Sequence, residues 1–307
     1  MSLLVVGSVA LDNVETAEDA KKEILGGSAS YFSVGASMFC PVQLVAVVGQ
    51  DFPQQHIDLL ASRPIDLAGL KRSKGKTFRW SGRYAVDFSS RTTLSTELNV
   101  FADFDPSLPA GYKETSHIFL ANIHPSLQLK VLEQLHKPLF VAADTMNFWI
   151  DGALPDLQKL LKRLDLLIIN DEEVRLLGGG SSILEAAENV LSLGPKCLIV
   201  KRGEHGSTLF SKQGMFFLPA FPVKKVLDPT GAGDTFASGL MGYLASRAKT
   251  PPTFEDLKQA MSCATAVSSF VVEGFSLDGL IDLTLADVHR RYRQLSAFTH
   301  FPLLENF

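Results

Sequence analysis

The chain has 307 residues, of which 46% are hydrophobic and 20% charged, a balance that excludes a disordered chain. Its formal net charge of −4, from 29 Lys and Arg against 33 Asp and Glu, argues against a nucleic-acid partner, since such binders carry a basic excess. Three scattered cysteines form no disulfide framework, and the sequence shows neither a signal peptide nor an apolar run of membrane-spanning length. We therefore expect a soluble, cytoplasmic protein without a membrane partner.

Short apolar, β-branched runs alternate with segments of helical period along most of the chain. Their continuous apolar character is typical of parallel strands that helices cover on both faces, which predicts an α/β fold with a mostly parallel central sheet. Strands are predicted at 3–9, 43–48, 117–121, 139–143, 166–169 and 197–201, and a hairpin at 207–210 and 215–218. Helices are predicted at 28–39, 54–62, 126–135, 157–164, 182–193, 233–246, 254–272 and 285–295.

Residues 71–101 interrupt this alternation with a β-rich segment in which polar and apolar residues alternate, as in half-exposed antiparallel strands. Seven Lys and Arg lie between Lys71 and Arg91, against one acid, Asp87. The segment is either a solvated hairpin or a lid over an anionic ligand, because clustered cations attract anions. Residues 12–25 are a candidate for a further lid strand.

The segment Asp228-Pro-Thr-Gly-Ala-Gly-Asp-Thr-Phe236 places a glycine turn directly before an apolar-periodic helix. Gly231 and Gly233 permit tight-turn backbone conformations. A helix that begins in this way presents free N–H groups and the positive end of its dipole, which together bind an anion. Asp234 is then either a helix cap or a catalytic base beside an anion hole, as phosphoryl transfer requires.

This segment resembles the C-terminal signature of the PfkB (ribokinase-like) family of sugar and nucleoside kinases. The resemblance extends over nearly the whole chain and implies a single domain over 1–307, with a three-layer ribokinase-like fold and a small β-strand lid formed by about 12–25 and 71–101. It implies transfer of the γ-phosphoryl group of ATP to a hydroxymethyl group of a sugar or sugar-like substrate. Asp234 would take the proton.

The same resemblance implies an anion hole made by the backbone of Gly231, Ala232 and Gly233. It places Thr230 on the nucleotide side. The carbonyls near Asp228 and Thr230 would complete a monovalent-cation site, with K⁺ as the ion.

Two N-terminal segments resemble the parts of the family that hold the acceptor. Gly7-Ser-Val-Ala-Leu-Asp12 resembles the first strand and turn, whose Asp binds substrate hydroxyls, although Asp12 taken alone is equally a turn residue. Gly26-Gly27 resembles the di-glycine signature, where the substrate approaches the main chain. Tyr31 occupies a position that is commonly Asn in the family, which leaves the identity of the acceptor open.

Two segments resemble the nucleotide side of the family. Asn170-Asp-Glu-Glu173 matches its Asn-x-x-Glu motif, associated with Mg²⁺ and phosphate, although helix capping also explains these residues. Gly203 and Gly206 fit a Gly-x-x-Gly turn along the nucleotide, and Lys201 before them faces either phosphate or the surface.

Other polar positions have weaker parallels in the family. Cys263 falls where relatives place a residue beside adenine. Asp144 and Asn147 follow a predicted strand, where the family has a polar segment near the phosphates. Asn147 either contacts phosphate or caps a loop.

Competing functions remain open at this point. Tyr31 and the lid aromatics Phe78, Trp80 and Tyr84 suit either strand packing or stacking on a nucleobase, so the alternative is an adenosine-like nucleoside kinase of the same family. A catalytically silent ligand-binding protein is a third hypothesis. The absence of a Walker loop excludes a P-loop kinase. An exposed lid edge would need cover, so we also expect a homodimer through the lid.

Overall fold

The computed structural model describes residues 2–88, 90–247 and 250–300. Nine strands form the main sheet: β1 (Leu3–Val6), β4 (Val42–Val48), β5 (Ile65–Arg72), β8 (His117–Leu120), β9 (Phe140–Ala143), β10 (Leu166–Asn170), β11 (Cys197–Lys201), β12 (Ser207–Ser211) and β13 (Gly214–Leu218). Their order is β13–β12–β11–β10–β9–β8–β1–β4–β5, and every pair is parallel except those that β12 makes. Strands β1, β8, β9 and β10 are almost entirely buried, and apolar except for His117 in β8 and Asn170 in β10, because helices cover both faces.

Helices form the two outer layers. One layer packs on the core that contains Phe32, Leu240 and Met261, and the other on the core that contains Val131 and Leu160. The helices are α1 (Ser28–Ala36), α2 (Gln54–Ala61), α3 (Pro125–Gln134), α4 (Asn147–Gly152), α5 (Leu154–Leu161), α6 (Asp171–Gly178), α7 (Ile183–Ser192), α8 (Ala232–Arg247), α9 (Phe254–Val271), α10 (Asp278–Ile281) and α11 (Leu285–Thr299). None of the helices between residues 2 and 300 is long and apolar enough to cross a membrane.

A second sheet stands apart from the main one and corresponds to the predicted lid. It contains β2 (Ala10–Glu15), β3 (Ala20–Gly26), β6 (Phe78–Tyr84) and β7 (Arg91–Glu97), in the order β3–β2–β6–β7. Polar pairs join its outer face, since Asn13 donates to Ser81 and Arg83 forms an ion pair with Glu15. We call these four strands the lid sheet.

The predicted α/β class with a mostly parallel sheet is confirmed, but the lid begins later than predicted and one strand of the main sheet was not predicted. Lys71 and Arg72 belong to β5, the edge of the main sheet, and so the lid segment begins later than the predicted residue 71. Strand β5 was not predicted, because its alternating exposure resembles that of the lid strands. Ser89 in the predicted lid, and Met1 and 301–307 in the predicted domain, lie outside the described residues.

Candidate active site

The predicted phosphate-side residues meet at the carboxyl ends of the parallel strands. Asp144 directly follows β9, Asn170 ends β10 and Lys201 ends β11. The Lys201 ammonium group reaches the start of α8, where a Cβ placed on Gly233 would come within 2.8 Å of Nζ. Lys201 therefore faces the predicted anion hole rather than the surface.

The anion hole is built at the N-terminus of α8, and one of its predicted donors is engaged. Gly231 adopts φ +75°, and the Ala232 N–H donates to the carbonyl of Pro229 at 3.1 Å, so it closes the turn. The N–H groups of Gly231 and Gly233 donate to no backbone carbonyl among the described residues. These two free donors and the helix dipole leave a site for an anion next to Lys201.

Asp234 lies in the first turn of α8, where its side chain is half-buried. Burial raises its pKa to about 6, although the nearby cations Lys201 and Arg91 favour the ionised form. A carboxyl group that is ionised at neutral pH and can accept a proton there has the property required of a general base. The same position also allows helix capping, and the two roles are compatible.

Asp144 is a second buried carboxyl group in the same cluster. Its Oδ1 has no hydrogen-bond partner among the described residues, although the side chain is 8% exposed. Burial and the negative charge of Asp234 raise its pKa, and Lys201 opposes this shift. An unpartnered buried carboxyl oxygen is costly unless a ligand completes it.

The predicted Asn170–Glu173 motif forms a capping box at the start of α6. The Glu173 N–H donates to Asn170 Oδ1 at 2.8 Å, and the Asn170 N–H donates to Glu173 Oε2 at 2.7 Å. Burial raises the pKa of Glu173, and Lys201 lowers it. Capping therefore fixes Glu173 within the same charge cluster.

The acceptor-side residues lie where the lid sheet joins the main domain. Asp12, on β2, lies against Gly26, because a Cβ at Gly26 would be 1.9 Å from its Oδ2. The Asp12 carboxylate hydrogen-bonds the backbone of Gly27, whose φ is +91°. Burial and the charge of Asp228 raise the pKa of Asp12 to about 8. Both glycines are needed because side chains there would collide with their neighbours.

Tyr31 was predicted to contact the acceptor, and the structure places it behind the anion hole. Its side chain is 1% exposed, and a Cβ at Gly231 would come within 2.4 Å of the ring. The hydroxyl has no hydrogen-bond partner among the described residues. The ring thus supports the turn at Gly231 and presents almost no surface to an acceptor.

Two lid residues reach the anion-hole turn. The Tyr84 hydroxyl lies 3.0 Å from Thr230 Oγ1, and Arg91, opposite Tyr84 in the lid sheet, hydrogen-bonds Tyr84. The charge of Arg91 acts on Asp12, Glu173 and Asp234, which places its guanidinium over the cleft. In the sequence, Arg91 is only one of the seven cations between Lys71 and Arg91. Its position opposite Tyr84 follows from the strand register, which the sequence alone does not give.

Trp80 shares a face of the lid sheet with Asp12, because the two residues are register partners in β6 and β2. Its ring crosses Gly82, and the Arg91 guanidinium lies 5.1 Å from the ring centroid. Phe78 instead stacks on Phe101, with ring centroids 5.2 Å apart. Of the three predicted aromatics, Trp80 and Tyr84 therefore share the face of Asp12 without the Phe101 contact that Phe78 makes.

The remaining predicted positions lie around this cleft. Gly203 begins a short 3₁₀ turn with φ +54°, and Gly206, with φ +87°, packs against the carbonyl of Leu218. Cys263 is buried in α9, and burial raises its thiol pKa to about 12, so it is a neutral packing group. Asn147 begins α4, with no capping hydrogen bond from its neighbour Met146.

Asp228, the predicted cation-site residue, organises the loop before α8. Its Oδ1 accepts from the Thr230 N–H at 2.8 Å, and its Oδ2 from the Ser276 N–H at 3.4 Å. Burial raises its pKa. The carboxylate therefore ties the anion-hole turn to the loop that follows α9.

Comparison with known proteins assigns this arrangement to a family. Over 255 residues the chain is 28% identical to the cytidine kinase of Thermococcus kodakarensis, and the alignment covers 80% of this chain and 90% of that protein. It is 35% identical to rice fructokinase-2 over 119 residues, 38% of this chain and 34% of that protein. The structure of ribokinase II from E. coli with ATP and Mg²⁺ has a TM-score of 0.79 at 18% identity, covering 95% of this chain and 99% of the other. The model of the pfkB family carbohydrate kinases matches residues 2–280, and the chain belongs to that family.

Proposed function

We propose that the protein transfers the γ-phosphoryl group of ATP to a hydroxymethyl group of a sugar or sugar-like substrate, with Asp234 as the base. The observation that carries this proposal is the half-buried Asp234 at the start of α8, beside two free backbone donors and Lys201. A proton acceptor next to an anion site is the arrangement that phosphoryl transfer to an alcohol needs.

In the proposed reaction, the acceptor hydroxyl gives its proton to an Asp234 carboxylate oxygen. A bond forms between that hydroxyl oxygen and the γ-phosphorus, and the bond from the γ-phosphorus to the bridging oxygen breaks, releasing ADP. The Gly231 and Gly233 N–H groups and Lys201 stabilise the negative charge on the transferred group. Asp12 and the Gly26–Gly27 backbone orient the acceptor hydroxyls.

The carboxyl groups of this cleft fit Mg²⁺, which the related ribokinase II holds together with ATP. Glu173 and Asp144 offer the hard oxygen ligands that Mg²⁺ prefers, and Asp144 Oδ1 has no hydrogen-bond partner in the part of the protein that the structure describes. No group of three or more His, Cys, Asp or Glu within the described ranges is arranged as a metal site, in keeping with an ion bound largely by water and phosphate. When bound, Mg²⁺ neutralises charge on the ATP phosphates.

A nucleoside is the second candidate acceptor, and a specific observation favours it. Trp80 presents its ring on the same face of the lid sheet as Asp12, which allows a base to stack while a carboxylate binds ribose hydroxyls. A relative that covers 80% of this chain is a cytidine kinase, and its name supports the same acceptor class.

The experiment compares ATP consumption over a panel of sugars and a panel of nucleosides, with and without K⁺. Consumption with one panel identifies the acceptor class, and stimulation by K⁺ over Na⁺ would support the cation site near Asp228. If no acceptor drives ATP consumption but one raises the melting temperature, the chain is instead a ligand-binding protein.

Asp234→Asn tests the assignment of the base. We expect turnover to fall by at least about a hundredfold, the scale of lost general-base catalysis, in a steady-state assay with the best acceptor. The unfolding midpoint should not fall at pH 8, because the change removes a half-buried charge. Turnover near that of the wild type would refute the assignment.

A further inference from the structure

A cavity of about 560 Å³ lies at the root of the lid sheet, beside the edge strand β5. Two chain segments frame it: residues 73–76 lead from β5 into β6, and residues 99–105 follow β7. Val47, Val100 and Phe104 supply apolar surface in the cavity. The volume is in the range of small-molecule sites, and none of its lining residues belongs to the candidate active site.

Three lysines give the cavity its charge. Lys71, Lys74 and Lys76 line it, are exposed, and form no ion pair within the described part of the chain. Two other cations of the same basic stretch are neutralised, since Arg79 pairs with Asp51 at 2.8 Å and with Glu23 at 2.9 Å, and Arg83 pairs with Glu15.

The acidic residues of the cavity do not offset this charge. Asp105 is paired with Lys130 at 2.5 Å, which leaves Asp103 against three ammonium groups. Like charges held near one another raise the local positive potential, and a bound anion relieves their repulsion.

The two framing segments are joined by hydrogen bonds at the neighbouring residues Lys76 and Thr77. The Asn99 side chain donates a hydrogen bond to the Thr77 carbonyl at 2.9 Å, and the Thr77 N–H donates to Asp51 at 2.7 Å. The Val100 N–H donates to the carbonyl of Lys76 at 3.1 Å. A molecule in the cavity would therefore contact both the entry and the exit of the lid hairpin at the point where they are fastened.

We propose that this cavity is a binding site for a small phosphorylated molecule, separate from the active site. The ammonium groups of Lys71, Lys74 and Lys76 bind its phosphate, and the apolar surface around Phe104 packs against the rest of the molecule. Because the ligand contacts both segments that carry the lid hairpin, its binding changes the affinity for the acceptor at the active site.

The test is calorimetric titration with inorganic pyrophosphate, without Mg²⁺, ATP or acceptor. The variant Lys71→Gln, Lys74→Gln, Lys76→Gln removes the charge of the cavity. A matched variant, Lys137→Gln, Lys162→Gln, Lys212→Gln, removes three exposed lysines that form no ion pair with described residues. Lys201→Gln weakens pyrophosphate binding at the anion hole, so the binding that remains in this variant is attributed to the cavity.

We expect Lys201→Gln to retain pyrophosphate binding. The variant that combines Lys71→Gln, Lys74→Gln and Lys76→Gln with Lys201→Gln should bind pyrophosphate at least tenfold more weakly than Lys201→Gln alone. The matched variant combined with Lys201→Gln should bind as Lys201→Gln does. Equal losses of pyrophosphate affinity in both triple variants would show that net charge alone explains the effect. Loss of all pyrophosphate binding in Lys201→Gln alone would show that the probe binds at the anion hole and not in the cavity. Either result overturns the proposal. Phosphotransfer is not measured, so failure here is distinct from failure of the proposed kinase activity.

Discussion

At the scale of single residues, Gly231 is a position in the site that does not tolerate a side chain. Its φ of +75° and the Tyr31 ring behind it both oppose a side chain, so Gly231→Ala should displace the turn that holds the N–H donors. We expect kcat to fall at least about a hundredfold, the scale of a lost oxyanion-hole donor.

Gly203→Ala is the matched control for Gly231→Ala. Gly203 also has a positive φ, of +54°, but a Cβ there would meet no atom within 4 Å. Gly203→Ala should therefore introduce backbone strain without a steric clash, and its kcat should stay within a few-fold of the wild type. Equal losses of kcat in the two variants would show that backbone strain, and not contact with Tyr31, makes Gly231 necessary.

Asp234 also sets the pH dependence of the reaction. Its pKa of about 6 predicts that kcat/KM is level above that pH and falls about tenfold per pH unit below it, as the base becomes protonated. Since Lys201 favours the ionised form, Lys201→Gln should move this fall to higher pH. Arg83→Gln, in the Glu15 ion pair of the lid, should leave the profile in place. An unchanged pH profile in Lys201→Gln would contradict the assignment of Asp234 as the base.

At the scale of elements, one hydrogen bond ties the lid sheet to the start of α8. Tyr84→Phe removes the contact with Thr230 and should raise the acceptor KM several-fold, because the lid is then less often closed over the cleft. The melting temperature should change little. Tyr243→Phe is the control, since it removes the 2.8 Å hydrogen bond to Gln259 on the outer helices. Equal KM values in Tyr84→Phe and the wild type would argue against this tie.

Much of the fold was predictable because buried strands and amphipathic helices carry strong periodic signals, as in β10 and β11. Strand β5 was missed because an edge strand is half exposed and alternates like the lid. Helix α6 was not among the predicted helices, although helix capping was one explanation of Asn170–Glu173, and the structure has a capping box there. Local pattern determines such elements only in part.

The site was predictable where the chain itself brings residues together, as in the segment from Asp228 to Asp234. The positions of Tyr31 and Arg91 depend on contacts between distant segments, which a single sequence does not encode in its spacing. Tyr31 packs behind Gly231, 200 positions further along the chain. Arg91 reaches the cleft only because β7 pairs with β6 in a register that places it opposite Tyr84.

At the scale of the whole molecule, the lid sheet has an exposed edge. All seven residues of β7 are exposed, and Leu94 in its middle is 46% exposed. Because unpaired edge strands favour association, we expect a homodimer through this edge, with twice the chain mass by light scattering. Leu94→Lys should yield a monomer, whereas Val86→Lys, at the hairpin tip, should stay dimeric. A monomeric wild type would exclude this assembly.

The strand order separates the two halves of the proposed reaction along the chain. The acceptor-side residues Asp12, Gly26 and Gly27 and the lid sheet all precede residue 98, while the phosphate-side residues begin at Asp144. Strand β1 borders both halves in the main sheet, between β4 and β8. Acceptor preference can therefore diverge through changes in the first third of the chain while the phosphoryl-transfer machinery stays intact, which makes that third the segment to exchange when grafting a new specificity onto this scaffold.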